Sequence, residues 1–173
     1  MIWIDDIKSR YLEQEVYADI SYNIDTVILD NSLTDTESEA CSLAAAVTIG
    51  HYGLWNHIYK NYSTEIEHRQ AALAAAQAMV AFVQHEFIKT PIGVAYAQSK
   101  IRNRALREYS NIPIQQYDLY RLAVVLTEQN IDAASMLGKI CMNSGYTNLN
   151  IADVNRIVSV IRILGKILPN TIE

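Results

Sequence analysis

The residues of this chain whose types can do chemistry are two cysteines, four histidines and a scatter of acids. Cys41 and Cys141 stand 100 positions apart, with no close spacing of the kind that marks a zinc site or a thioredoxin-type pair. Buried free thiols are therefore the plainer reading. A reactive thiol needs an electropositive, partly exposed setting. Cys141, beside Lys139 and ahead of Gly145, comes closer to that than Cys41, which follows Glu39 among small residues. His51, His57, His68 and His85 all fall in the first half. Glu65-x-x-His68 has the helical spacing of a carboxylate-bridged metal site, but such a site takes a second Glu-x-x-His and further Glu residues, and no second copy exists. The histidines thus read as groups that satisfy backbone atoms near helix ends, and neither a metal nor a cofactor is expected.

Those residues must be positioned by helices. The stretch Glu39-Ala40-Cys41-Ser42-Leu43-Ala44-Ala45-Ala46-Val47-Thr48 shares its pattern with Asp118-Leu119-Tyr120-Arg121-Leu122-Ala123-Val124-Val125-Leu126-Thr127. Both read acid-x-x-x-Leu-Ala-small-small-aliphatic-Thr, 79 residues apart, which predicts a helical unit duplicated over about residues 34–88 and 114–168. Thr34-x-x-Glu37 has the form of a capping box, opening a helical stretch to about Lys60 that is either two helices or one broken near Gly50 and Gly53. Ser63-Thr64 then precedes an Ala-rich helix through Ala71–Ala81, whose small side chains predict a central, buried position with Gln70, Gln77 and Gln84 as its wetter stripe. A further segment, Ile92–Glu108, ends in the cations Lys100, Arg102, Arg104 and Arg107. Helices are expected from Ile114 to about Gln129, from Asp132 to Asn143 with Gly145 as the cap, and from Ile151 to Leu168. No strand-type alternation competes, so the fold class is all-α.

At 173 residues the chain fits one domain, able to bury roughly 70% of its unfolded surface. Its net charge of −5 argues against nucleic acid as a partner. The start, Met1-Ile2-Trp3-Ile4-Asp5-Asp6, carries acids where a signal peptide needs positive charge. No apolar run approaches the roughly 18 residues of a membrane span, so a cytoplasmic protein without a membrane partner is expected.

The order of these features resembles the alkylhydroperoxidase D family of the carboxymuconolactone decarboxylase superfamily. The resemblance runs from Tyr17-Ala18-Asp19-Ile20 through Leu33-Thr34-Asp35 and His68-Arg69-Gln70-Ala71-Ala72-Leu73-Ala74-Ala75-Ala76. It continues in Asn111-Ile112-Pro113, Asp118-Leu119-Tyr120-x-x-Ala123-Val124, and the helix, glycine, helix around Gly145. It implies an AhpD-like helical domain of two diverged, related halves, assembling as a homo-oligomer (trimer or hexamer) through its Ala-rich and C-terminal helices. It also implies antioxidant peroxidase chemistry by a Glu, a Cys-x-x-Cys twelve positions on and a His four beyond. A thiolate attacks the peroxide, a second thiol resolves the sulfenic acid, and the relay keeps the first thiol deprotonated.

Counted from Asp118 at the family's Glu, the cysteine positions fall on Asn130 and Ala133 and the histidine on Leu137. The dithiol and imidazole are absent, and the decarboxylases resemble the peroxidases in keeping that histidine. The expected function is therefore a non-redox binding or regulatory scaffold with a degenerate active site. Two alternatives stay open: a peroxidase that uses Cys41 or Cys141, and a cofactor-free lyase or isomerase that uses Asp118. Asp118, Glu128, Asn130 and Asp132 form a polar group that could line a pocket for a small molecule, with Asp118 as the acid expected to be buried. The plainer reading makes Glu128–Asp132 a turn with Asp132 as N-cap of the next helix.

Overall fold

The structure, a computed structural model, describes residues 1–84 and 112–172, with the side chains of 78–84 left aside. The expected segment Ile92–Glu108 with its four cations, Asn111 and His85 lie outside the described residues. Within them the chain is all-helical. α1 (Ile2–Tyr11) leads through a 3₁₀ turn (Glu15–Tyr17) into α2 (Ala18–Ile24) and a π-helical turn (Asp25–Leu29). α3 (Asp35–Thr48), α4 (Tyr52–Lys60) and α5 (Ile66–Gln84) follow, and then α6 (Ile114–Thr127), α7 (Ile131–Asn143) and α8 (Asn148–Ile167). No helix among the described residues is long and apolar enough to cross a membrane.

Local chemistry sets the helix ends. Thr34 accepts from the Glu37 amide at 3.2 Å while the Glu37 carboxylate accepts from the Thr34 amide at 3.0 Å, the reciprocal bond of a capping box. Thr147 and Asn150 form the same arrangement at α8, so that helix starts three residues before the expected Ile151. Gly145 takes φ +110° after α7. α7 begins at Ile131 because Asn130, not Asp132, accepts from the Ala133 amide at 3.0 Å. Ser63 and Thr64 likewise do not cap α5: their amides donate instead to the Glu39 carboxylate.

The core centres on α3 and α6, which pack on each other, on α5 and on α8. Every residue from Glu37 to Ala46 is buried, as is every residue from Tyr117 to Val125. Helices enclosed on all sides need small residues where neighbouring axes approach, which Ala40, Ala44, Ala45 and Ala46 supply. The Ala-rich α5 is less central than expected: Ala71, Ala72, Ala75 and Ala76 form its buried face, Leu73 and Ala74 are half-buried, and Gln70 and Gln77 are exposed. α1 contributes Trp3, Ile4 and Ile7, and α8 contributes Val154, Ile157, Val158, Ile161 and Leu164. The loop before α3 is fastened to α8 by Asp153, whose carboxylate accepts from the Ser32 amide (2.9 Å), the Ser32 hydroxyl (2.6 Å) and Arg156 (2.7 Å).

Positions 79 residues apart adopt matching local conformations around two turns. Thr48 and Thr127 each return a hydroxyl bond of 2.7 Å to the carbonyl four residues back. Gly50 and Gln129 both take positive φ, +73° and +57°. His51 and Asn130 both cap the following helix through the side chain, at Leu54 and Ala133. The correspondence covers these turns and flanking helices, and the side chains of the two segments then take different partners.

Gly53 is where the chain end lies closest on α4. A Cβ there would stand 2.6 Å from the Asn170 carbonyl oxygen and 3.0 Å from that of Pro169. Gly53→Ala is expected to lift the 168–170 segment from α4 and to cost about 1–3 kcal/mol of stability, as overpacking does. A thermal melt unchanged from wild type would contradict this packing.

Candidate functional site

Glu39, on the buried α3, is itself fully buried, and its carboxylate accepts from the Ser63 amide (3.1 and 3.0 Å), the Ser63 hydroxyl (3.0 Å) and the Thr64 amide (2.9 Å). It fixes an anion just ahead of the positive end of α5, a structural role. Its counterpart Asp118 is also fully buried, as expected, but pairs with Arg121 on its own helix at 2.8 Å. Arg121 is 1% exposed, and its Nε and Nη2 have no hydrogen-bond partner among the described residues.

Around these acids the interior holds two further sets of polar contacts that the residue spacing alone did not assign. The second Glu37 oxygen accepts from the Tyr146 hydroxyl at 2.5 Å and lies 3.5 Å from the Gln116 amide nitrogen. Tyr120, with no exposure, meets His68 Nδ1 at 2.5 Å, while His68 Nε2 faces the exposed Glu65 carboxylate at 3.3 Å. The carboxylate draws the imidazole proton to Nε2, so Nδ1 accepts from the Tyr120 hydroxyl. The Glu65-x-x-His68 spacing is thus used as a link from the surface to a buried phenol. Among the described residues no group of three or more His, Cys, Asp or Glu is placed to hold a metal ion.

The three candidate catalytic residues come together in this interior. Cys41 and Cys141 are free and buried. Burial pushes the Cys41 thiol well above its ordinary range, and the nearby Glu37 and Cys141 push it further. Burial pushes Cys141 up to about 12, with Asp118 adding to the rise and Arg121 opposing it. The phenols behave alike: burial raises Tyr120, Tyr62 and Tyr146, and Tyr146 is raised further by the hydrogen bond it gives Glu37. Every one of these groups keeps its proton at neutral pH. The cluster stores protonated, hydrogen-bonded groups and offers no nucleophile there.

The positions counted from Asp118 lie elsewhere. Asn130 caps α7, while Ala133 and Leu137 are packed in the core at 1% and 0% exposure. Asn130 borders a groove of about 310 Å³ with a mostly apolar lining that includes Val125, Leu126, Ile131 and Ala134. Ile131 is 81% exposed at its edge. A second cavity of about 330 Å³ lies at the matching turn, against Gly50 and His51, with Arg162, Gly165, Lys166 and Asn170 across from them. His51 is fully used: Nδ1 accepts from the Leu54 amide at 3.0 Å, which leaves the proton on Nε2 for the Leu168 carbonyl at 3.1 Å. The sequence signal for the grooves was the positive-φ residue before each capping side chain, visible at Gly50 and hidden at Gln129.

His57 is buried on α4 with Nε2 3.1 Å from Asp6, close but outside hydrogen-bond geometry. Burial lowers its pKa below the ordinary 6.5, with Asp6 opposing. Between the folded and unfolded values the unfolded chain binds a proton that the folded chain does not, so stability rises with pH there. The contribution is complete above about pH 6.5 and is lost as pH falls toward the folded value. Melting temperature is expected to climb as pH rises toward about 6.5, and His57→Asn to flatten that climb. An identical slope in the variant would assign it to other groups.

No protein-family model, curated protein or solved structure matches this chain.

Proposed function

We propose that this protein is a non-redox binding scaffold, and that its ligand is a small, largely apolar molecule seated in the groove beside Asn130. The observation that carries the non-redox part is the burial of both thiols, each with a pKa held far above neutrality. A peroxidase needs a thiolate that peroxide can reach. Asp118, the acid of the lyase alternative, is fully buried and paired with Arg121, which favours the binding reading over the lyase one. The groove supports the binding part: it is concave, mostly apolar, and offers a few polar groups at Asn130, Gln129 and Ser135 to orient a ligand.

The kinship with alkylhydroperoxidase D proteins belongs to the same proposal and rests on the sequence features alone, since the comparisons add no support to it. The homo-oligomer it implies is supported by exposed Leu149 (54%) and Ile163 (42%) on α8, apolar side chains that a subunit contact would cover.

Peroxide consumption with excess dihydrolipoamide separates the redox readings. No turnover is expected from the wild type or from a Cys41→Ser, Cys141→Ser variant, and turnover that disappears in the variant would overturn the proposal. Binding is tested with an environment-sensitive apolar fluorophore. Ala134→Trp, which fills the groove, is expected to weaken fluorophore binding by about tenfold or more, equivalent to about 1.4 kcal/mol. Undiminished binding in a folded variant would remove the groove as the seat.

A further inference from the structure

The second cavity carries an inference independent of the groove beside Asn130. We propose that the cavity between the α3–α4 turn and α8 binds a small oxyanion of the phosphate type, as free phosphate or as the phosphate of a soluble monoester. The whole chain carries a net charge of −5, yet the charged side chains lining this cavity are the two cations Arg162 and Lys166. They stand one helical turn apart on α8, so both reach the same mouth. Among the described residues neither has an ion-pair partner.

Arg162 is held for this task. With the Gln129 amide oxygen turned toward it, that oxygen accepts from Nη1 at 2.6 Å and Nη2 at 2.9 Å. A neutral amide fixes the guanidinium without neutralising it, leaving its charge and remaining donors for an anion. The facing wall is the turn of Ile49, Gly50 and His51. Gly50 takes φ +73°, and a Cβ there would meet nothing within 4 Å, so the turn leaves the cavity open. His51 is committed to the Leu54 amide and the Leu168 carbonyl, so its ring shapes the wall. Behind it α4, nine residues long, directs its positive end toward the same turn.

The depth of the cavity depends on Gly165. A Cβ there would stand 2.5 Å from Ile49 Cδ1, so a side chain at position 165 would have to displace the Ile49 methyl that lies against α8. A volume of about 330 Å³ admits a phosphate with a small organic body attached. The lining holds two cations and no carboxylate, which favours a dianion over a monocarboxylate.

The test is calorimetric titration of the whole chain at low ionic strength with inorganic phosphate, and in a parallel arm with glucose 6-phosphate. Saturable binding is expected in at least one arm, and the tighter arm identifies the free ion or the monoester. Arg162→Gln and Lys166→Gln are each expected to weaken it about tenfold, and the double variant to abolish it. Lys139→Gln, on α7 and outside the cavity, should leave it unchanged. Asn170→Glu places an acid at the rim without altering a helix and is expected to abolish binding as well, which covers the case of a misfolded α8 variant. Absence of saturable binding in both arms, or binding that survives the double variant or Asn170→Glu, would overturn the proposal and leave the reading of the Asn130 groove untouched.

Discussion

Two helices enclosed on every side set the terms for the rest of this molecule. α3 and α6 lie against each other and against α5 and α8, so any polar side chain on them must find its partner inside the protein. Glu39 finds the first amides ahead of α5, Glu37 finds its own cap and Tyr146, Asp118 finds Arg121, and Tyr120 finds His68. Two of these pairings place a neighbouring element. α5 begins where it does because Ser63 and Thr64 are held by a buried carboxylate, and the segment after Gly145 is placed by a phenol that reaches back to α3.

The same enclosure governs the chemistry. A thiol or phenol surrounded by apolar atoms and carboxylates is costly to ionise, so residues whose types suggest reactivity become inert hydrogen-bonding or packing groups. Cys41, Cys141, Tyr62, Tyr120 and Tyr146 are shifted in one direction for one reason. The candidate residues gathered in one region are therefore groups that keep their protons at neutral pH. Among the described residues, two cavities open at the turns where positive-φ residues follow α3 and α6. Gln129 connects them, bordering one and holding the arginine of the other.

Much of the helical frame was legible from residue order. The capping box at Thr34, the break at Gly50, the start of α6 after Pro113, the stop at Gly145 and the apolar face of α8 are all local signals. The amphipathic face of α1 is also present, in Trp3, Ile4 and Ile7, but ten residues broken by charges give a weak period. Expecting Asp132 as the cap of α7 failed because Asn and Asp cap equally well, and the choice between them falls to the turn geometry that follows Gln129. The central place expected for α5 went instead to α3 and α6, since small side chains permit close approach but do not say which helix is surrounded.

The sequence by itself determined the helical class and most helix boundaries, because capping, glycine conformation and hydrophobic period act over a few residues. Only the tertiary structure decided that Cys41, Cys141 and Asp118 share one interior, that His68 reaches Tyr120, and that Arg162 and Lys166 face the Gly50 turn. Those outcomes depend on which helix faces pack together across 50 or more residues of chain. Proton affinity and partner choice are set by that packing, through burial and the charges it brings near, and neither is written in local residue order.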